Sequence, residues 1–189
     1  MKKRILDILI VLTIISIIFV SFLMYIKYSR GEKNEKNLSP AIEKIIEIKE
    51  EKKEKIYVDG YECIGNIEIE KLNICYPILN SLDEKAMKIS IIKFFGGDLN
   101  ASGNVTLAGH NNLDNKMFGK LNKLIIGDNI NIKTTDGKSI NYSVYKIDII
   151  DPNNKDITKT INKDIKEITL ITCINGNRQR LVVKARESI

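Results

Sequence analysis

Short apolar stretches separated by turn residues fill the chain from residue 58 onward, and this pattern constrains the fold more than any other feature. The apolar stretches predict strands over residues 64–69, 72–79, 105–108, 130–132, 140–144, 168–173 and 181–185. Two short helices are predicted, one over residues 81–89 after the capping box Ser81-Leu-Asp-Glu84 and one over residues 117–124. This pattern predicts a mostly β domain, a mostly antiparallel β-barrel or sandwich.

The N-terminal residues add a second constraint. Residues 8–26 carry no charge and are mostly Ile, Leu, Val and Phe, and about 20 apolar residues are needed to cross a bilayer. Basic residues precede this run, but no small-x-small cleavage site follows it, which favours an uncleaved anchor over a signal peptide. We therefore expect a cytoplasmic tail over residues 1–7 and one transmembrane helix over residues 8–26. The positive-inside count is nearly balanced, and the short basic tail favours an inside N-terminus.

A charged linker follows the predicted membrane span. Ser39-Pro40 is a typical helix start, but residues 47–55 are almost wholly charged and offer no apolar face for a core. We therefore interpret residues 27–58 as a stalk or helical linker. The folded domain is predicted over residues 59–189.

The overall charge does not indicate a nucleic-acid partner. The formal net charge is +6 and the pI is near 9.1, but the basic residues are scattered among acidic ones, as in residues 47–55. No aromatic residues interleave with a basic stripe. A solvated surface that faces an anionic cell envelope is the favoured interpretation.

Three cysteines occur, Cys63, Cys75 and Cys173, and their spacing matches no metal site. An odd count leaves at least one thiol unpaired. If residues 70–71 form a two-residue hairpin, Cys75 faces Asn66 and not Cys63, so no disulfide is predicted between the first two cysteines. Both are predicted to be small buried hydrophobic residues.

Three residues at predicted strand ends carry the candidate chemistry. Cys173 ends the stretch Thr169-Leu-Ile-Thr-Cys173, the only histidine, His110, follows strand 105–108 and Gly109, and Arg180 begins the last strand. A thiol, an imidazole and a permanent cation are the groups needed for acyl transfer through a thioester. Taken singly, such a cysteine is more often an inert core residue and such a histidine a turn residue. Arg178, two positions earlier, competes with Arg180 for the third role.

These residues resemble the motifs of the sortase family. Thr169-Leu-Ile-Thr-Cys173 is similar to the sortase T-L-x-T-C signature, Gly109-His110 resembles the histidine strand end of that family, and Arg180 matches its arginine. The resemblance covers roughly residues 60–185. It implies a closed antiparallel or mixed β-barrel of about eight strands with short helices. It also implies a membrane-anchored cysteine transpeptidase of Gram-positive bacteria, with a single-pass anchor and an extracellular catalytic domain.

The resemblance also implies a substrate and a role for each residue. Sortases cut sorting signals of the Leu-Pro-x-Thr-Gly type in secreted surface proteins and pass the acyl group to an amine of a cell-wall precursor or a pilin. Cys173 would be the nucleophile, His110 the general acid and base, and Arg180 the group that stabilises the oxyanion or holds the peptide. No cofactor is expected. No metal is expected either, because the acidic loop residues are sparse and interspersed with lysines.

The class of sortase is predicted from what the loops contain. The loop over residues 151–166 is short and has no long helix, which argues against class B. The sequence has no second C-terminal hydrophobic anchor and no lid motif before the first strand, which argues against class C. Class A or class D remains, and class D is slightly favoured.

Two other interpretations stay open. A cell-wall cysteine peptidase or amidase of another fold would hydrolyse rather than transfer, but it would normally have its cysteine before its histidine and at a helix start. A membrane-tethered β-barrel could also bind a partner without catalysis. That interpretation leaves the three polar groups at strand ends unexplained.

Overall fold

The computed structural model describes residues 17–25, 55–111, 115–154 and 164–188. The chain divides into two units, Met1–Asn37 and Leu38–Ile189. In the first unit, residues 17–25 are helical with exposed side chains. Within the described ranges, no helix has the length and apolar character needed to cross a membrane. The predicted tail lies outside the described residues, as do about half of the predicted transmembrane helix over residues 8–26 and most of the stalk over residues 27–58.

In the second unit, the described residues form nine strands and one α-helix. The strands are β1 (Ile56–Val58), β2 (Tyr61–Ile69), β3 (Ile74–Leu79), β4 (Ile91–Phe95), β5 (Gly103–Ala108), β6 (Asn129–Thr134), β7 (Ser139–Ile150), β8 (Lys166–Ile174) and β9 (Gln179–Glu187), and the helix is α1 (Glu84–Ile89). Their hydrogen-bonded order is β1-β2-β3-β4-β5-β8-β9-β7-β6, and β6 also pairs with β2. Strands β2 to β9 therefore close an eight-stranded barrel, as predicted, and β1 extends it beside β2.

Two of the strand pairs are parallel, and one of them decides where the site lies. Strands β3 and β4 run parallel, as do β5 and β8, whereas the other pairs are antiparallel. The β5–β8 register runs without a shift from Gly103↔Lys166 to Ala108↔Ile171. Because parallel strands end at the same edge of a sheet, the residues that follow β5 and β8 come out side by side.

Alternation along the strands produces two apolar clusters. One face of β5 and β8 contributes Val105, Leu107, Ile168 and Leu170 to the larger cluster, together with Phe118. The opposite face contributes Ala108, Ile171, Val182 and Ile92 to a second cluster, which also contains Ala86 of α1. Successive strand side chains point to opposite faces, so both sides of β5, β8 and β9 are buried over most of their length.

The turn between β2 and β3 differs from the predicted hairpin. Glu70–Leu72 forms a short 3-10 helix, and Asn73 follows in the left-handed region at φ 52°. The longer turn shifts the register, so Cys75 is opposite Glu68 and not Asn66. Cys63 is buried as predicted, but Cys75 is exposed, so the prediction of a buried Cys75 is wrong. Both thiols are free.

Both predicted helices are confirmed only in part. The first begins two residues later than the capping box predicts, because the Asp83 carboxylate, and not Ser81, caps it by accepting a hydrogen bond from the Lys85 N–H. The second is reduced to a 3-10 helix at Leu121–Lys123. A left-handed φ of 49° at Met117 is incompatible with a helix starting at that residue.

Candidate active site

The ends of β5 and β8 remain joined beyond their last paired residues. The Gly109 N–H donates a hydrogen bond to the Ile171 carbonyl at 3.2 Å. The Thr172 hydroxyl donates to the Gly109 carbonyl at 2.7 Å. These two bonds extend the parallel register by one residue on each strand, and the next residues along are His110 and Cys173.

Strand β9 places Arg180, the third predicted residue, beside Cys173. Cys173 and Arg180 are directly opposite each other in the antiparallel β8–β9 pair. The three residues predicted from the sequence therefore lie together at one edge of three neighbouring strands, and all three are half-buried. By alternation, Cys173 and Arg180 share the face of Ile171 and Val182. The catalytic roles of these residues remain predictions.

Close packing explains the glycine before the histidine. A β-carbon at Gly109 would lie 2.8 Å from the Phe118 ring and 3.3 Å from the Ile91 side chain. Any larger residue would therefore displace the ring. The Phe118 N–H also donates to the His110 carbonyl at 3.1 Å. The backbone of the histidine is thus held by β8 on one side and by the Phe118 turn on the other.

The reactive atoms of the site are not engaged with one another. Among the described residues, neither the His110 imidazole nor the Cys173 sulfur takes part in a hydrogen bond or an ion pair. Catalytic hydrogen bonds often form only when a substrate is bound.

The third residue is held by its own turn. Arg180 Nη1 donates to the Asn177 carbonyl at 3.0 Å and to the Gln179 carbonyl at 3.1 Å. A guanidinium has five N–H donors, so this contact leaves donors for a substrate oxygen. Arg178 is exposed in the turn before β9, whereas Arg180 lies opposite Cys173. The register favours Arg180 over Arg178.

One contact at the site was not predicted from the sequence. Asn111 Nδ2 donates to the Cys173 carbonyl oxygen at 2.8 Å. The only sequence signal is a polar residue directly after the histidine, and such a residue is too common to assign a role. The contact becomes visible only when the parallel register places residue 111 beside Cys173.

A cavity among the described residues lies apart from this edge of the sheet. This cavity has a volume of about 510 Å³ and is lined by residues 80–82 and 93–96. Phe95, one of the lining residues, is opposite Thr106 in β5. Thr106 comes before Ala108 on that strand, so this position is on the side of Ala108 away from His110. No group of three or more His, Cys, Asp or Glu side chains among the described residues is arranged to hold a metal ion.

Comparison with known proteins identifies the family. The sortase-domain family model matches residues 67–188, so the chain belongs to the sortase family, whose members are cysteine transpeptidases. This membership is incompatible with the alternative of a peptidase or amidase of another fold.

Individual relatives give the degree of similarity. Sortase A of Bacillus anthracis is 30% identical over 129 residues, which are 67% of this chain but only 60% of that protein. The structure of a Clostridium perfringens sortase D5 transpeptidase has a TM-score of 0.67 and 28% identity, covering 82% of this chain and 98% of that one. The structure of sortase C1 from Streptococcus agalactiae has a TM-score of 0.60 and 29% identity, covering 67% and 68%.

Proposed function

We propose that this chain is a cysteine transpeptidase that cleaves a Leu-Pro-x-Thr-Gly-like sorting signal of secreted surface proteins. The acyl group would pass through a thioester on Cys173 to an amine of a cell-wall precursor or a pilin. The observation that carries the proposal is the common level of His110, Cys173 and Arg180 on β5, β8 and β9. Cys173 lies between the other two residues, one strand away from each, and a nucleophile, a proton carrier and a cation are the groups that acyl transfer through a thioester needs.

In this mechanism the thiolate of Cys173 attacks the scissile carbonyl carbon. The carbon–nitrogen bond breaks as the His110 imidazolium gives its proton to the departing amine, which leaves a thioester. An incoming amine then attacks the thioester and His110 takes the proton from that amine, which regenerates the thiolate. The imidazole and the thiol act on different atoms of the substrate, so the mechanism needs no hydrogen bond between them in the free enzyme.

Arg180 would stabilise the negative charge that develops on the carbonyl oxygen. A guanidinium is a cation whose planar fork can give two parallel hydrogen bonds. The present bonds to the Asn177 and Gln179 carbonyls hold the guanidinium against the turn between β8 and β9. A short rotation of the side chain would exchange one of these carbonyls for the substrate oxygen.

The thiol lies at the edge of the second apolar cluster, whose nearest members are buried, with Ala108 and Ile171 each 8% exposed. Ala108 and Ile171 occupy the positions two residues before His110 and Cys173, on the face shared with Val182. Strand residues two apart lie on one face, so substrate residues upstream of the scissile bond would pack against the edge of this cluster. Leucine and proline side chains would bury apolar area there without leaving a polar group unpaired.

The class and location are also proposals. A class D-like enzyme is supported by the match to the sortase D5 transpeptidase over 98% of that chain. Anchoring in the cell membrane, with the catalytic domain outside, is supported by the uncharged run over residues 8–26 and by the basic residues before it. Sorting signals and their amine acceptors are found on that side of the membrane.

The test is a transfer reaction with the purified full-length chain. The chain is incubated with a library of sorting-signal peptides and amine acceptors, and the products are identified by mass spectrometry. A peptide joined to the acceptor amine supports the proposal. Hydrolysis without transfer would make the chain a peptidase, and the absence of any reaction would favour a binding domain. Either of these results overturns the proposal.

A further inference from the structure

One backbone hydrogen bond of the parallel β5–β8 pairing is not formed next to Cys173. Carbonyl groups of alternate residues on a strand point to the same neighbour. The Ile171 carbonyl points to β5, where it accepts the Gly109 N–H at 3.2 Å. The Cys173 carbonyl, two residues on, therefore points the same way, and a continued parallel ladder would give it the N–H of residue 111.

The backbone does not supply that bond because the chain turns away after His110. Asn111 forms a bridge with Met117, and the Phe118 N–H closes the turn onto the His110 carbonyl. The side chain of Asn111 takes the place of its own backbone, with Nδ2 at 2.8 Å from the Cys173 oxygen. A carbonyl can only accept, so the amide must present its NH₂ group here.

We propose that Asn111 is a positioning residue that orients the nucleophile Cys173 through its carbonyl group. The inference rests on the proposed transpeptidase function. The Thr172–Gly109 bond and the Asn111–Cys173 bond lie on either side of His110 and join the two strand ends that carry the imidazole and the thiol. Fixing the Cys173 peptide plane fixes the direction of its Cα–Cβ bond, and so the position of the sulfur relative to the scissile carbonyl.

The expected effect is moderate and falls on the rate of the chemistry. Asn111 is exposed, so a lost hydrogen bond costs little folding stability. A displacement of about 1 Å in a reacting group can lower a rate by about 100-fold. A partial loosening of the strand end should therefore lower kcat about 10-fold and leave peptide binding nearly unchanged.

The test compares three variants of the full-length chain with the wild type. Asn111→Ala removes the donor, Asn111→Gln keeps it on a longer side chain, and Asn129→Ala is a matched change at an exposed asparagine of β6, opposite Ser143 and away from the site. We expect Asn111→Ala to lower kcat about 10-fold, with KM within about two-fold of the wild-type value. Asn111→Gln should recover most of kcat, and Asn129→Ala should match the wild type. The midpoint temperatures of thermal unfolding of the wild type and the three variants should agree within a few degrees.

A second measurement detects the Asn111–Cys173 hydrogen bond directly and does not depend on catalytic activity. With the cysteine carbonyl carbons labelled with ¹³C, the Cys173 carbonyl resonance should move in Asn111→Ala and return towards its wild-type position in Asn111→Gln. An unchanged resonance, an unchanged kcat, or a lower kcat that comes with a lower midpoint and no rescue by glutamine would overturn the inference. If the wild type shows the contact but transfers no peptide, the proposed function fails, and the positioning role fails with it.

Discussion

The two ends of strands β8 and β9 use polar side chains in opposite ways. At one end, Cys173 and Arg180 are half-buried beside His110. At the other end, six residues or about 20 Å away along β8, Glu167 and Lys184 are buried, with 5% and 7% of their surface exposed. By alternation, all four strand residues share one face of the sheet.

The buried end is a network of hydrogen bonds and ion pairs around the Glu167 carboxylate. Glu167 accepts a hydrogen bond from the Tyr145 hydroxyl at 2.7 Å and from Arg186 Nε at 3.4 Å, and Lys184 Nζ lies 3.5 Å from its other oxygen. The Arg186 guanidinium also lies 4.0 Å above the Tyr145 ring. Burial raises the pKa of the Tyr145 hydroxyl, and its hydrogen bond to Glu167 raises that pKa further.

The difference follows from access to water. A buried charge must be paired, because removing it from water without a partner costs several kcal/mol. The half-buried groups at the site end keep contact with solvent, so leaving them unpaired costs little. Strands β8 and β9 can therefore hold a buried ionic network at one end and half-buried reactive groups at the other.

The sharpest test of this contrast removes the nucleophile. Cys173→Ala should abolish peptide transfer, a loss of at least about 10⁴-fold in kcat/KM, because no other group at the site can form the thioester. The free energy of unfolding should change by less than about 1 kcal/mol at this half-buried position. Peptide transfer is followed by mass spectrometry and stability by urea unfolding. Cys75→Ala, which changes an exposed thiol on β3, should keep full activity, and transfer by Cys173→Ala would rule out the assigned nucleophile.

The reverse result is expected at the buried end. Glu167→Leu leaves the Lys184 ammonium buried without its partner, and we expect a loss of about 3–5 kcal/mol in the free energy of unfolding. The double variant Glu167→Leu/Lys184→Met replaces the ion pair by apolar groups and should recover most of that loss. Urea unfolding measures both variants, and kcat is measured on the folded fraction. A large drop in kcat at full folding would contradict the separation of the two ends.

The choice of arginine is tested next. Arg180→Lys keeps the charge but loses the planar fork, and we expect kcat/KM to fall about 100-fold with little change in stability. Arg178→Ala is the matched control, because Arg178 is exposed in the turn before β9, and it should keep at least half of the activity. A greater loss from Arg178→Ala than from Arg180→Lys would transfer the role to Arg178.

The site residues were more predictable from sequence than the contacts that hold them. Alternating and continuous apolar residues predict all of the barrel strands except β4, and the short motifs predict His110, Cys173 and Arg180. Strand β4 was missed because its apolar run, Ile91–Phe95, is short and lacks alternation, so it cannot be told from a helical turn by periodicity. The strand β1 was missed because only three residues pair.

The remaining contacts depend on register between distant segments. Lys184 and Glu167 meet because Thr169 is opposite Lys184 and Glu167 is opposite Arg186 in the β8–β9 pair. Nothing near either residue in the sequence marks it as buried, and each is of a type that normally lies on the surface. The Asn111 contact depends in the same way on the parallel β5–β8 register. Such pairs follow from the closed barrel and not from any local pattern.

The smallest expected effect distinguishes two threonines of β8, Thr172 near the site and Thr169 in the middle of the strand. The Thr172 hydroxyl donates to the Gly109 carbonyl at 2.7 Å, and the Thr169 hydroxyl bonds to Asn104 Oδ1 at 2.8 Å. Both threonines are buried, so Thr172→Val and Thr169→Val should each cost about 1–3 kcal/mol in the free energy of unfolding, measured by urea.

Only Thr172→Val should also lower kcat, by about 10-fold, because its bond joins the strand ends that carry His110 and Cys173. Thr169→Val supplies the matched control, since it removes the same hydroxyl from the same strand four residues from the thiol. Equal losses of kcat in the two variants would mean that the site responds to the general stability of β8. A loss confined to Thr172→Val would show that the geometry at the strand ends sets the rate.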